Sequence, residues 1–351
     1  MNDLNRERLS TFANLSISAY RGDSAKQDRW AVILAGGDGS RLLPLTRKIT
    51  GDERPKQFCS FLGTGTLLDE TRRRVELGFP PIKTMFSLTE KHECYYNDLL
   101  RDVPPRNLVV QPKNIGTAPA ILYSLLRLEK TNPAASVAFF PSDHYFSDNK
   151  IFISYIEIAF DSVRLRPDSV ILLGIKPECP DEEYGWIEPE KSATDTAQNL
   201  WNVRRFWEKP APALAQELLS RGCLWNSFVM IGQVSAFLKM IRNSASDLYE
   251  KFDRVKSILH TSGEEMAIRT LYKNLPEINF STEVLTKSAK DLSVIPVMGS
   301  KWSDLGNPRR VLSALSVLEG ATSVKRERRE HFIELREEYY ERARKANHQT
   351  I

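Results

Sequence analysis

Apolar residues in this chain gather in short runs, and between the runs they recur at helical spacing. Residues 30–35, Trp-Ala-Val-Ile-Leu-Ala, form the clearest run and predict a buried strand. Similar runs predict strands at 84–89, 107–110, 136–140 and 169–175, while 67–77, 91–100, 118–128 and 151–163 carry helical periodicity. Strands alternating with helices predict an α/β fold: a doubly wound, mostly parallel sheet with helices on both faces. From residue 177 the character changes, and 201–208 and 223–232 read as strands with polar residues at their ends. No Gly/Ser-rich or Pro-rich hinge precedes them, so this second part is expected to join the same sheet. Residues 1–28 read as a polar N-terminal extension. Residues 319–351 read as a charged C-terminal helical segment, with Phe332, Leu335 and Tyr339 on one narrow apolar stripe. That stripe either packs on its own domain or serves self-association as a homo-oligomer.

Composition narrows the class. The chain has 351 residues, 41% hydrophobic and 27% charged, enough to bury a large core. No window reaches the apolar length of a membrane span, and the charged N-terminus lacks the apolar core of a secretory signal, so a cytoplasmic protein with no membrane partner is expected. A net charge of +4, without a nucleic-acid-binding signature, argues against a nucleic-acid partner. Cys59, Cys94, Cys179 and Cys223 are scattered with no Cys-x-x-Cys pair, which predicts reduced, structural thiols.

Chemistry enters where the first strand ends. Gly36, Gly37 and Gly39 supply a backbone that can turn amide N–H groups toward an anion, and Arg41 and Arg47 add charge-assisted donors suited to phosphate. The loop is not a Walker A sequence, because no Gly-Lys-Ser/Thr closes it. It is not a dinucleotide fingerprint either, since Leu42 stands where a third glycine is needed. Downstream, Pro55-Lys56-Gln57-Phe58 places an isolated lysine ahead of a short apolar segment. Asp143 follows a strand in Pro141-Ser142-Asp143-His144, and Asp304 lies in Trp302-Ser303-Asp304-Leu305-Gly306. Hard carboxylate oxygens of this kind suit Mg²⁺ shared with substrate phosphates, whereas imidazole does not, so His144 reads as structural.

Taken in order, these motifs resemble the sugar-1-phosphate nucleotidylyltransferases. The resemblance also rests on Gly116-Thr117-Ala118-Pro119-Ala120, Tyr184-Gly185-Trp186-Ile187-Glu188, Phe206-Trp207-Glu208-Lys209-Pro210 and Trp225-Asn226-Ser227, and the Lys-Gln-Phe form is most similar to the mannose-1-phosphate guanylyltransferases. It implies a Rossmann-like, glycosyltransferase-A-like fold over 29–318, with a nucleotide half at 29–176 and a sugar-facing half at 177–318. It also implies transfer of a nucleotidyl group from GTP to mannose 1-phosphate with Mg²⁺ as cofactor. By this resemblance Arg41, Lys56 and Asp143 are catalytic. Ala35, Gly36, Gly37, Gly39, Thr117, Ala118 and Pro119 join them at the nucleotide. Gly185, Glu208, Lys209 and Asn226 meet the sugar phosphate, and Asp143 and Asp304 hold the metal. Two alternatives stay open: another hexose phosphate or nucleotide, and a regulatory subunit that binds nucleotide sugar with little catalysis. The chain departs from the family's pattern in a longer, charged 48–54 segment and in Phe228, which stands where a glycine commonly follows Asn-Ser. That phenylalanine is expected to narrow the sugar pocket or to shift its strand.

Overall fold

The computed structural model describes residues 28–62, 65–190 and 200–319. The expected 1–28 extension and 319–351 helical segment lie, but for Asp28 and Glu319, outside the described residues. Eleven strands are described: β1 (Arg29–Leu34), β2 (Thr84–Thr89), β3 (Leu108–Gln111), β4 (Ser136–Pro141), β5 (Tyr145–Phe146), β6 (Val170–Ile175), β7 (Gly185–Glu190), β8 (Trp201–Glu208), β9 (Leu224–Gln233), β10 (Leu292–Val297) and β11 (Trp302–Ser303). The expected runs fall on these strands with ends shifted by a residue at most.

Nine strands form one sheet in the order β3-β2-β1-β4-β9-β6-β10-β8-β7. Its two faces carry separate cores, because side chains alternate across a strand. Val32 belongs to one core, with the Thr117–Thr131, Val234–Ser244 and Glu264–Lys273 helices. Ala31 and Ile33 belong to the other, with the Leu67–Glu76, Asn149–Leu165 and Pro212–Ser220 helices. Strands covered on both faces need to be largely apolar: β6 is so throughout, and the equally buried β2 and β10 admit only Thr84, Ser87, Thr89 and Ser293 as polar residues.

The expectation of a mostly parallel sheet holds for only one side of it. β3, β2, β1 and β4 are parallel, as are β6 and β10. The pairs β4–β9, β6–β9, β8–β10, β7–β8 and β7–β9 are antiparallel, so the sheet is mixed. β9 is the reason. Its second half lies beside β4, with Met230 opposite Phe139. Its first half lies beside β7, with Trp225 opposite Trp186. The strands β9, β6, β10, β8 and β7 thereby pair in a closed ring.

Two other expectations change locally. The helix expected at 91–100 shrinks to Glu93–Tyr96, because Asn97 and Asp98 favour turns over helix interior. The 48–54 segment is not an open linker: the Leu43–Thr50 helix runs into it and stops at Gly51 in a left-handed conformation, and Arg54 then forks onto the Asp52 carboxylate. Among the described residues, no helix is long and apolar enough to cross a membrane.

Candidate active site

Backbone geometry around the glycine loop follows from two buried side chains. Gln57 Nε2 donates to the carbonyls of Ala35 (3.1 Å) and Gly37 (2.7 Å), and Thr89 Oγ1 donates to that of Gly36 (2.8 Å). In a trans peptide the N–H points opposite its C=O, so fixing these three carbonyls inward turns the N–H groups of Gly36, Gly37 and Asp38 the other way. Side chains are excluded at two of the glycines. A Cβ on Gly36 would come within 2.9 Å of Thr89 Oγ1, and one on Gly39, whose φ is 61°, would lie 3.0 Å from the Lys56 backbone nitrogen. Asp38 at the loop tip is held by His92 Nε2 (3.1 Å) and Asn114 Nδ2 (2.9 Å). Burial holds the His92 pKa below its ordinary value although Asp38 opposes this.

Lys56 lies beneath that loop. Its ammonium is 3.2 Å from Asp143 Oδ2 and donates to the Asp304 carbonyl at 2.6 Å. The short β5–β11 pairing brings these distant segments together, because Tyr145 opposite Ser303 sets Asp143 beside Asp304. Asp304 Oδ1 accepts from Gly306 N–H (2.9 Å), Arg310 Nη1 (2.9 Å) and the Tyr184 hydroxyl (3.2 Å). Burial raises the Asp304 pKa, but Arg310 and Lys56 outweigh it, and the carboxyl lies below its ordinary value. Arg310 is the hub here. It also meets Asp181 (2.5 Å) and Glu183 (3.0 Å), and its guanidinium lies 4.0 Å over the Tyr184 ring. His144 is neutral, with burial pushing its pKa down to about 4, and Trp302 Nε1 approaches its Nδ1 at 3.3 Å.

A second corner forms where β7, β8 and β9 meet. Gly185 pairs with Glu208, and a Cβ on Gly185 would lie 2.9 Å from Glu208 Oε2 and 3.4 Å from Asn226 Cβ. Burial raises the Glu208 pKa, against the opposing effects of Lys209 and a hydrogen bond from Ser281. β8 ends at Glu208, and Lys209 bends away with a φ of 45° while its N–H donates to the Tyr184 carbonyl. The adjacent Glu208 and Lys209 are thus freed from strand alternation, which would have pointed them to opposite faces.

Gly36, Gly37, Thr117 and Asp143 line a cleft of about 330 Å³ together with Ser142, Phe228, Glu277 and Asn279. Lys56 and Asp304 sit directly behind Asp143, and Arg41 is exposed nearby, its Nη1 3.9 Å from Glu183. Ala35, Ala118 and Pro119, expected at the nucleotide, are instead buried. The Ala35 N–H bonds the Ser87 carbonyl and that of Ala118 bonds the Ile278 carbonyl, while their neighbours Gly36 and Thr117 line the cleft. Arg47, expected at phosphate, pairs with Glu53. Sequence reasoning missed Arg310 and Tyr184, whose roles depend on contacts across more than a hundred residues. Among the described residues no group of three or more His, Cys, Asp or Glu could hold a metal ion, and a donor set at Asp143 and Asp304 would be two carboxylates. It fits a hard cation that keeps waters and shares phosphate oxygens.

Comparison with known proteins follows the same lines. A model of the family described as nucleotidyl transferase matches residues 30–319. The chain is 26% identical over 280 residues to a mannose-1-phosphate guanylyltransferase of Klebsiella pneumoniae, covering 79% of this chain and 58% of that one. It is 26% identical over 281 residues to the alginate biosynthesis protein AlgA of Pseudomonas aeruginosa, covering 79% and 56%. It therefore spans under two thirds of the length of these relatives. Among solved structures, one described as a mannose-1-phosphate geranyltransferase from Thermus thermophilus superposes with a TM-score of 0.69 at 27% identity, covering 82% of this chain and 79% of that one.

Proposed function

This chain belongs to the nucleotidyl transferase family, and from that premise we propose that it joins GTP to mannose 1-phosphate, releasing pyrophosphate and forming GDP-mannose. The observation that carries the reading is the convergence of Lys56, Asp143 and Asp304 at the back of the glycine-loop cleft.

In this reading the N–H groups of Gly36, Gly37 and Asp38 face the triphosphate, and Arg41 reaches its outer phosphates from the loop's exposed side. Thr117 lies across the cleft. A phosphate oxygen of the sugar phosphate attacks the α-phosphorus, the bond to the bridging oxygen of pyrophosphate breaks, and no protein nucleophile is needed. Positioning and charge neutralisation supply the catalysis. Lys56, buried and already paired with Asp143, offers its ammonium to the α-phosphate. Asp143 and Asp304 are the residues that would hold Mg²⁺, which when bound neutralises phosphate charge. Arg310 keeps Asp304 ionised and aimed. Glu208 and the Asn226 carboxamide accept and donate to sugar hydroxyls, Gly185 lets the sugar come close to the backbone, and Lys209 meets its phosphate.

The test is pyrophosphate release across a panel of nucleoside triphosphates and sugar 1-phosphates, with and without Mg²⁺. The expected result is the highest kcat/KM for GTP with mannose 1-phosphate, abolished by chelation. Turnover of no pair, with nucleotide sugar still bound, would replace this reading with that of a binding subunit.

A further inference from the structure

Phe228 has a φ of 59°, in the left-handed region where a side chain crowds its own backbone. The bend itself has a topological cause. Here β9 passes from its pairing with β4 to its pairing with β7, and its register with β6 is irregular between Leu172 and Gly174. A glycine would make that bend at no steric cost, so the bend does not account for the phenyl ring.

The ring's surroundings do. It packs edge-on against Phe280 at 6.4 Å between centroids, and the Phe280 N–H donates to Thr117 Oγ1 at 2.8 Å. It lines the cleft shared by Gly36, Gly37, Thr117, Asp143 and Asn279, a cleft that Gly185, Glu208 and Asn226 do not line. The Phe228 N–H donates to Asn226 Oδ1 at 3.1 Å, which fixes the orientation of the carboxamide that faces the sugar corner. The backbone at Phe228 thus serves the sugar side while its side chain serves the cleft.

We infer that Phe228 selects the nucleotide and not the sugar, its ring forming the wall against which the nucleoside would lie. This rests on the reading of the cleft as a nucleoside triphosphate site. A ring held at both ends, by a strained backbone and by Phe280, limits the width of the cleft and offers a base an apolar aromatic surface. Its removal takes away the shape limit and the contact together.

The experiment measures kcat/KM for GTP, ATP, UTP and dTTP at saturating mannose 1-phosphate, and for mannose and glucose 1-phosphates at saturating GTP, in wild type, Phe228→Gly and Phe228→Asn. Glycine and asparagine both tolerate the left-handed backbone, so both variants are expected to fold. The expected result is that preference for GTP over the other nucleotides falls about tenfold in both, chiefly through GTP KM, with the ratio between sugars changed by less than about twofold. Unchanged nucleotide ratios, or a shift confined to the sugar ratio, would overturn the inference while leaving the proposed reaction intact. A wild type that turns over no pair would remove both.

Discussion

Left-handed backbone is written differently in the two parts of this molecule. Before residue 200, the described residues with such φ values are glycines: Gly39, Gly51 and Gly116. After it, four of six are not, namely Lys209, Phe228, His260 and Leu305. Three of those four adjoin the candidate site. In the parallel half the chain turns where its sequence permits, and function is built on the turns. In the other part, where β8 ends before Lys209 and β9 changes partners at Phe228, turns fall on residues that resist them, and the surrounding contacts must hold those residues in place.

That contrast predicts that the parallel half carries chemistry separable from folding, whereas the other half carries binding and stability together. Asp143→Asn makes the hardest test. It keeps shape but removes a carboxylate charge beside Lys56, so kcat for pyrophosphate release is expected to fall by a factor on the order of a hundred or more while the chain still folds. Wild-type turnover at limiting Mg²⁺ would break the comparison at its strongest point.

Arg310→Ala follows, because it strands Asp181 and Asp304 without their shared cation. Losing one partner of a buried ionic cluster costs about 3 kcal/mol, so thermal unfolding should move several degrees lower while kcat also falls. Arg310→Lys should restore only part, since an ammonium cannot fork across three carboxylates. Stability unaffected by the alanine variant would show that the second half does not depend on this hub.

Glu208→Ala should act on one substrate. KM for mannose 1-phosphate is expected to rise about tenfold with the GTP KM unchanged, measured by initial rates at fixed concentrations of the other substrate. Equal effects on both substrates would erase the division between cleft and corner.

The smallest effect is a pH dependence at the glycine loop. Burial depresses the His92 pKa in the folded chain from the ordinary 6.5, so the unfolded chain binds the proton more readily. Stability from this group is present above pH 6.5 and is lost as pH falls from there through the depressed value. Denaturant midpoints followed downward from pH 7 should therefore decline less steeply in His92→Asn than in wild type. Identical slopes would exclude His92 as a source of that decline.

The legible part of this protein is the part that depends on local order. The 30–35 run, the three glycines of the loop and the 67–77 and 151–163 periodicities each express their structure within a few residues, and they lie close to where the structure has them. The illegible part depends on distant partners. Nothing near Arg310 announces Asp181 or Tyr184, which reach it across more than a hundred residues. Nothing in 223–232 shows that one strand serves β4 with one half and β7 with the other. Phe228 is the intermediate case: its departure from glycine is visible in the sequence, but its place on the wall of the glycine-loop cleft needed the fold.

The closed ring of strands also sets an order of assembly. β3, β2, β1 and β4 can pair once the chain has been synthesised through residue 141, whereas β6 and β8 have no bridge between them until β10, at Leu292–Val297, is available. Until then the apolar β6 has an open edge, a state prone to pairing with other chains. The long sequence separation of these pairings predicts that closure of the ring by β10 is the slow step of folding, so that a growing chain acquires its glycine loop well before the ring is complete.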